Sequence, residues 1–152
     1  MQPAPKDWPR FSSSVFYQDA AKAIDWLCDV FGFEVRLRVE GEGGRIEHSE
    51  LTYGDGLVMV SQEDVASERR WKASFRSPAS IGGAFTQSTM FFVDDVDAHC
   101  AHARERGARI VEEPETHDYG DDYWTDRSYG ALDPEGHLWW VVQRLRDPRI
   151  PR

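Results

Sequence analysis

Apolar and polar positions follow two periods along this chain, and the switch between them is written twice. In "FSSSVFY" and "STMFFV" apolar residues alternate, as on a strand with one buried face. Phe11, Val15 and Tyr17 share one side of the first stretch, with Ser12, Ser14 and Phe16 on the other. In the second, Thr89, Phe91 and Val93 oppose Ser88, Met90 and Phe92. Each stretch then runs into helical spacing, with Ala20, Ile24, Leu27 and Phe31 as one stripe and Val96, Cys100 and Ala103 as a weaker one. Asp19 and Asp95 stand where N-caps belong, and Gly32 and Gly107 where helices end. Three short strands follow each helix: "EVRLRVE", "RIEHSELTY" and "LVMVSQ", then "ARIVEE", a stretch around "RSYGAL", and "HLWWVVQ".

Strand, helix and three strands, repeated, predict an α+β fold of two βαβββ modules over residues 10 to 62 and 86 to 145. Residues 63 to 85 join them without periodicity, which marks a mobile linker or a lid. As a lid, the connection would be anchored by Trp71 and Phe75. Residues 146 to 152 read as a short, solvated, basic tail. In each first strand the side away from the helix is partly polar, yet it carries Phe16, Met90 and Phe92. That mixture suits a ligand-lined concave surface better than a sealed core or a plain wet sheet face.

Charge and composition narrow the function. A formal net charge of −9 argues against a nucleic-acid partner, which demands a cationic face. No apolar run approaches a membrane span, and "MQPAPKDWPRF" lacks the apolar core of a signal peptide, so a cytoplasmic protein without a membrane partner is expected. The two cysteines, Cys28 and Cys100, fall on apolar helical positions and read as small buried hydrophobes.

Near the C-terminus, "DPEGHLWWVVQ" is a tight turn feeding a strand with two successive tryptophans. Alternation puts Trp139 and Trp140 on opposite faces. Together with "YQDAAKAIDWLCDVFGFEV" and "VDDVDAHCAHARERGARI", the segment "YGALDPEGHLWWV" resembles the vicinal oxygen chelate superfamily of glyoxalases, bleomycin-resistance proteins and extradiol dioxygenases. The resemblance spans nearly the whole chain. It implies that the two modules' sheets close into a cup, and that the protein is a homodimer.

Enzymes of that superfamily hold a divalent metal with ligands from the first and last strand of each module. Carried over residue by residue, those positions are Ser12, Met59, Ser88 and Trp140. A serine hydroxyl, a thioether and an indole do not make a site for Mn²⁺, Ni²⁺ or Zn²⁺. A one-residue slip would bring in Phe11 or Ser13, Val60, Gln87 and Trp139, of which only the glutamine is a plausible ligand. No cofactor is therefore expected, although a divalent metal at another site stays open. On this mapping Trp139 packs beneath the sheet, while Trp140 faces the cup as a stacking surface or merely fills it.

Other chemistry is sparser. His48 and Glu50 share one face of a strand and could be an acid/base pair, ligands of a relocated metal, or solvated charges. In relatives the segment before the D-P-x-G-H turn lines the cup rim, which implicates Tyr119, Tyr123, Trp124, Arg127 and Tyr129. Arg127 could clamp a ligand anion or pair with Asp126 or Asp133. Asp121, Asp122 and Asp126 lack the spacing of a calcium loop and read as solvated. His99 and His102 lie near the solvent side of the second helix, His137 ties the turn, and His117 sits in a loop.

Two functions follow. The first is a binding protein for a small aromatic or planar molecule in a metal-free cup, contacted by Ser12, Ser14, His48, Glu50, Met59, Ser88, Met90, Trp124, Arg127, Tyr129 and Trp140. The second is a lyase, isomerase or dioxygenase-type enzyme that uses His48 and Glu50, with or without a relocated metal.

Overall fold

In a computed structural model of the chain, residues 2–64 and 74–149 are described. The chain divides into two compact units, residues 1–84 and 85–152. The first contains β1 (Ser13–Tyr17), α1 (Ala20–Trp26), β2 (Glu34–Glu40), β3 (Ile46–Tyr53) and β4 (Gly56–Gln62). The second contains β5 (Ser88–Phe92), α2 (Val96–Glu105), β6 (Arg109–Asp118), β7 (Thr125–Leu132) and β8 (Leu138–Arg146). Each unit is a four-stranded mixed sheet, in the orders β1-β4-β3-β2 and β5-β8-β7-β6. The first and last strands of each unit run parallel and the other pairs antiparallel.

The repeat extends to individual hydrogen bonds. Asp19 accepts the Lys22 N–H at 3.1 Å, and Asp95 accepts the Ala98 N–H at 2.9 Å, so both predicted N-caps are in place. A glutamine near the end of each last strand also reaches the helix start: Gln62 Oε1 accepts from Ala20 N at 3.3 Å, and Gln143 Oε1 from Val96 N at 3.2 Å. Two helix N–H groups that would otherwise lack partners are satisfied in this way. Gly32 (φ 80) and Gly107 (φ 87) take the left-handed conformation beyond the helix ends. A π-helical turn, Leu27–Phe31, carries α1 on to Gly32.

One face of each sheet is covered by its helix. Val15, Tyr17, Val58, Val60 and Leu51 are buried with Ile24, Leu27 and Phe31 in the first unit. Phe91, Trp139, Val141, Tyr129 and Ala131 are buried with Val96, Cys100 and Ala103 in the second. Burial pushes both cysteine thiols above their usual pKa, in keeping with inert apolar roles. Phe11 departs from the expected pattern: it precedes β1 and is 86% exposed, so it does not pack on the helix.

Turn 133–137 fixes the register of β8. The buried Asp133 carboxylate accepts from the backbone N–H groups of Glu135 and His137, each at 3.0 Å, and from the Trp139 indole N–H at 2.9 Å. The turn bond of His137 is thus made by its main chain. Two other expectations are corrected. β6 does not stop at Glu113 but passes through Pro114 to Asp118, with a register shift between Glu112 and Glu115 absorbing the proline. The basic end is solvated at Arg149 but paired rather than free: Arg144 meets Asp126 at 2.5 Å, Arg146 meets Asp118 at 2.9 Å and the exposed Arg149 meets Asp121 at 3.1 Å.

Among the described residues, no helix is long and apolar enough to cross a membrane. Of the anchors expected in the connection, Trp71 lies outside the described residues, whereas Phe75 stacks on Phe16 at 4.1 Å with rings 4° from parallel. The same segment is latched by Glu63, which is buried at the end of β4. Its carboxylate accepts the Ser77 N–H at 2.9 Å and the Ser80 hydroxyl at 2.6 Å, with the Arg76 guanidinium 3.6 Å away. Burial acts to raise the Glu63 pKa, but the Ser77 and Ser80 bonds and the charge of Arg76 outweigh it and hold the carboxyl below its ordinary value. A carboxyl depressed on folding stabilises the fold above the unfolded carboxylate range, and that contribution is lost as pH falls through the folded pKa. Glu63→Gln is therefore expected to cost about 1–3 kcal/mol near neutral pH. The deficit should shrink below about pH 4, where the unfolded glutamate is protonated. Urea unfolding of both proteins across this range measures it.

Candidate ligand-binding site

Each unit has a second sheet face, turned away from its helix, and the expected site residues divide between these two faces. In the second unit alternation along β8 sends Trp139 under α2, where it is fully buried, and Trp140 to the open face, where it is half-buried. Met90 on β5 pairs with Trp140 in register, as does Gly130 on β7. A Cβ built on Gly130 would lie 3.1 Å from Trp140 Cζ3 and 3.4 Å from Glu112 Cβ, so the absent side chain gives the indole room to lie across β7.

Trp140 and Met90 line a groove of ≈ 290 Å³ with Val142, Ser128, Asp126, His117 and Tyr119. Its walls combine a large ring, a thioether and an aliphatic side chain with a few polar groups, the mixture usual for small-molecule sites. Beside it, the Arg144 guanidinium lies over the rings of Trp124 (5.1 Å) and Phe92 (5.5 Å) while pairing with Asp126. This pairing raises the Arg144 pKa and neutralises the acid in the groove wall. Tyr119 in turn lies 5.8 Å from Trp124.

Four expected ligand contacts of this unit do not line the groove: Tyr129, Arg127, Ser88 and Trp124. Tyr129 is fully buried on the helix side, its hydroxyl 2.7 Å from His99 Nδ1. His99 is consequently half-buried rather than solvent-facing. Arg127 pairs with neither Asp126 nor Asp133: it grips Asp97 of α2 through two bonds, of 2.9 and 2.8 Å, and Thr116 at 3.2 Å. The bond to Arg127 outweighs desolvation and holds the Asp97 carboxyl below its usual pKa. Both residues belong to the strand face that alternates away from Ser128 and Gly130. Ser88 is exposed at the start of β5, and Trp124 supports the groove through Arg144 rather than lining it. His117, read as a loop residue, lies on β6 opposite Asp126 and lines the groove.

In the first unit Ser14, Met59, Glu50 and Leu37 are neighbours in register across β1, β4, β3 and β2, and Phe16 pairs with Ser61 in the same way. Ser12 is half-buried just before β1. His48 Nε2 lies 3.0 Å from Glu50 Oε1, so the sequence-predicted pair is in contact. Glu50 is buried, and Arg36 Nε stands 3.4 Å from its other oxygen. Arg36 is itself held by the Asp7 carbonyl and lies over the Trp8 ring at 5.2 Å.

Ser12, Met59, Ser88 and Trp140, the positions to which the family resemblance carries the metal ligands, offer hydroxyl, thioether and indole groups, a donor set that does not fit a divalent ion. Among the described residues, no group of three His, Cys, Asp or Glu side chains converges on a point that could hold one.

Residues 11–141 match the family model of the Glyoxalase/Bleomycin resistance protein/Dioxygenase superfamily, and the chain belongs to that superfamily. It is 33% identical over 140 residues to uncharacterized proteins of Mycobacterium bovis and Mycobacterium tuberculosis, covering 91% of this chain and 86% and 76% of theirs. The crystal structure of TioX from Micromonospora sp. ML1 is similar with a TM-score of 0.66 and 31% identity, covering 90% of this chain and 99% of that one. A glyoxalase/bleomycin resistance protein/dioxygenase from Alicyclobacillus acidocaldarius shares the fold at 12% identity, with a TM-score of 0.61 over 93% of this chain and 96% of its own.

The contact between Gly130 and Trp140 is testable without a ligand. Gly130→Ala is expected to displace the indole by a few tenths of an ångström and so change its ring current at Met90. The chain has three methionines, and in a methyl-labelled sample the Met90 resonance should move while that of Met59 stays put.

Proposed function

We propose that this protein binds a small planar, aromatic molecule without a metal, using Trp140 as the stacking platform of the second sheet. The observation that carries this reading is the groove itself: a half-buried indole, made room for by Gly130, flanked by Met90 and Val142 and edged by Ser128, Asp126 and His117. A flat ligand on such a ring gains contact area and offset-stacking energy. Because Arg144 already neutralises Asp126, recognition here depends on shape and apolar area more than on net charge. With this reading go a cytoplasmic location and a homodimer, whose mass in solution sedimentation would report.

A second reading, an enzyme of the same superfamily acting through His48 and Glu50, is favoured by their 3.0 Å contact. It concerns the other sheet, and the two readings separate by mutation.

A panel of fused-ring aromatics, screened by quenching of tryptophan fluorescence and then titrated by calorimetry, tests the first reading. Trp140→Ala is expected to weaken a bound compound at least tenfold, about 1.4 kcal/mol, while leaving the fold intact. Unchanged affinity in that variant would refute the stacking role.

A further inference from the structure

The first sheet's His48 has a chemistry that its neighbours dictate. A carboxylate only accepts hydrogen bonds, so the 3.0 Å contact to Glu50 Oε1 requires Nε2 of His48 to be the protonated nitrogen. Glu50 is buried and faces the Arg36 guanidinium at 3.4 Å, which supplies the counter-charge that a buried carboxylate needs. Arg36 is fixed in turn by the Asp7 carbonyl and the Trp8 ring. A chain of supports running from Trp8 through Arg36 and Glu50 thus orients one imidazole and sets its tautomer. The ring is half-exposed, and its Nδ1, a bare acceptor in this tautomer, has no hydrogen-bond partner among the described residues.

Its surroundings narrow the ligand. On the same sheet face lie Met59 and the parallel Phe16–Phe75 stack, a flat apolar surface. We propose that His48 Nδ1 is the acceptor for the O–H proton of a bound planar molecule of the phenol or enol class. This goes beyond the Trp140 reading and deepens the second one by naming a role and a ligand class. An aliphatic alcohol is too weak an acid to surrender its proton to imidazole, and a carboxylic acid has already lost it at neutral pH; a phenol or enol lies between. The ligand's O–H bond breaks, an Nδ1–H bond forms, and the electron pair stays on oxygen as phenolate or enolate. Glu50 stabilises the imidazolium, and no oxidant or further reactant is needed.

Two measurements on the full chain decide it. Nitrogen-15 NMR of the ligand-free protein at neutral pH should show His48 with a protonated Nε2 and a bare Nδ1; the opposite tautomer would overturn the proposal. With 4-nitrophenol as probe, at a pH where the free compound is mostly protonated, added protein should raise the phenolate absorbance. His48→Gln should abolish that rise, Glu50→Gln should reduce it several-fold, and Trp140→Ala should leave it in place. No rise with the unaltered protein, or an equal rise with His48→Gln, would refute the role. A rise lost in Trp140→Ala but kept in His48→Gln would assign the phenol to the second sheet and also refute it. The Trp140 reading stands or falls separately, on the fused-ring titrations.

Discussion

An indole N–H buried away from water must find an acceptor, and for Trp139 that acceptor is Asp133, 2.9 Å away. The same carboxylate gathers the Glu135 and His137 amides, so it holds the turn and the start of β8 as one unit. A slip of one residue in β8 would strand all three donors and exchange the faces of Trp139 and Trp140. With the register fixed, Trp140 is committed to the open face, and the rest of the groove follows. Gly130 leaves the ring room across β7, Met90 becomes the indole's neighbour, and Arg144, two strand periods beyond Trp140, arrives beside Asp126.

Comparison of the units shows what this commitment costs and permits. By register, Met59 occupies in the first sheet the place of Trp140 in the second, Ser14 the place of Met90, and Glu50 the place of Gly130. The two sheets make opposite choices at one topological position. Where the last strand carries the flexible thioether of Met59, its neighbour can be a buried glutamate, which then recruits Arg36 and His48. Where it carries an indole, the neighbour is glycine, which leaves the ring room, and polar groups stand further out at Ser128, Asp126 and His117. The open face of one repeat carries the Arg36–Glu50–His48 charge chain, and that of the other carries the Trp140 indole.

Most of the fold was legible because its signals are local. Alternation separated Trp139 from Trp140, the helical stripes named the buried residues, and Asp19 and Asp95 were readable as caps. The site was legible only in part. Arg127 and Tyr129 misled because a segment rich in aromatic and acidic residues was treated as one rim, although its strand alternation sends these two to α2 and Ser128 to the groove. His117 was missed because Pro114 reads as a strand breaker, and only the pairing with β7 shows a register shift accommodating it. Gly130 has no local signal, since its meaning depends on the residue across the ladder.

Charge pairing in the C-terminal region illustrates the same limit from another side. Read along the chain, "HDYGDDYWTD" is an acidic loop and "RLRDPR" a basic tail, and each alone looks solvated. In three dimensions three arginines each meet an aspartate of the other segment: Arg144 with Asp126, Arg146 with Asp118 and Arg149 with Asp121. The two exposed pairs, Arg146–Asp118 and Arg149–Asp121, contribute little singly because water screens them. Their value here is positional. Arg146 also binds the Gly120 and Tyr123 carbonyls, at 3.0 and 3.3 Å, which holds the 118–125 turn against β8. Tyr119 and Trp124, one at the groove and one behind it, are carried on that turn, so a modest set of surface charges determines where the aromatic wall of the groove stands.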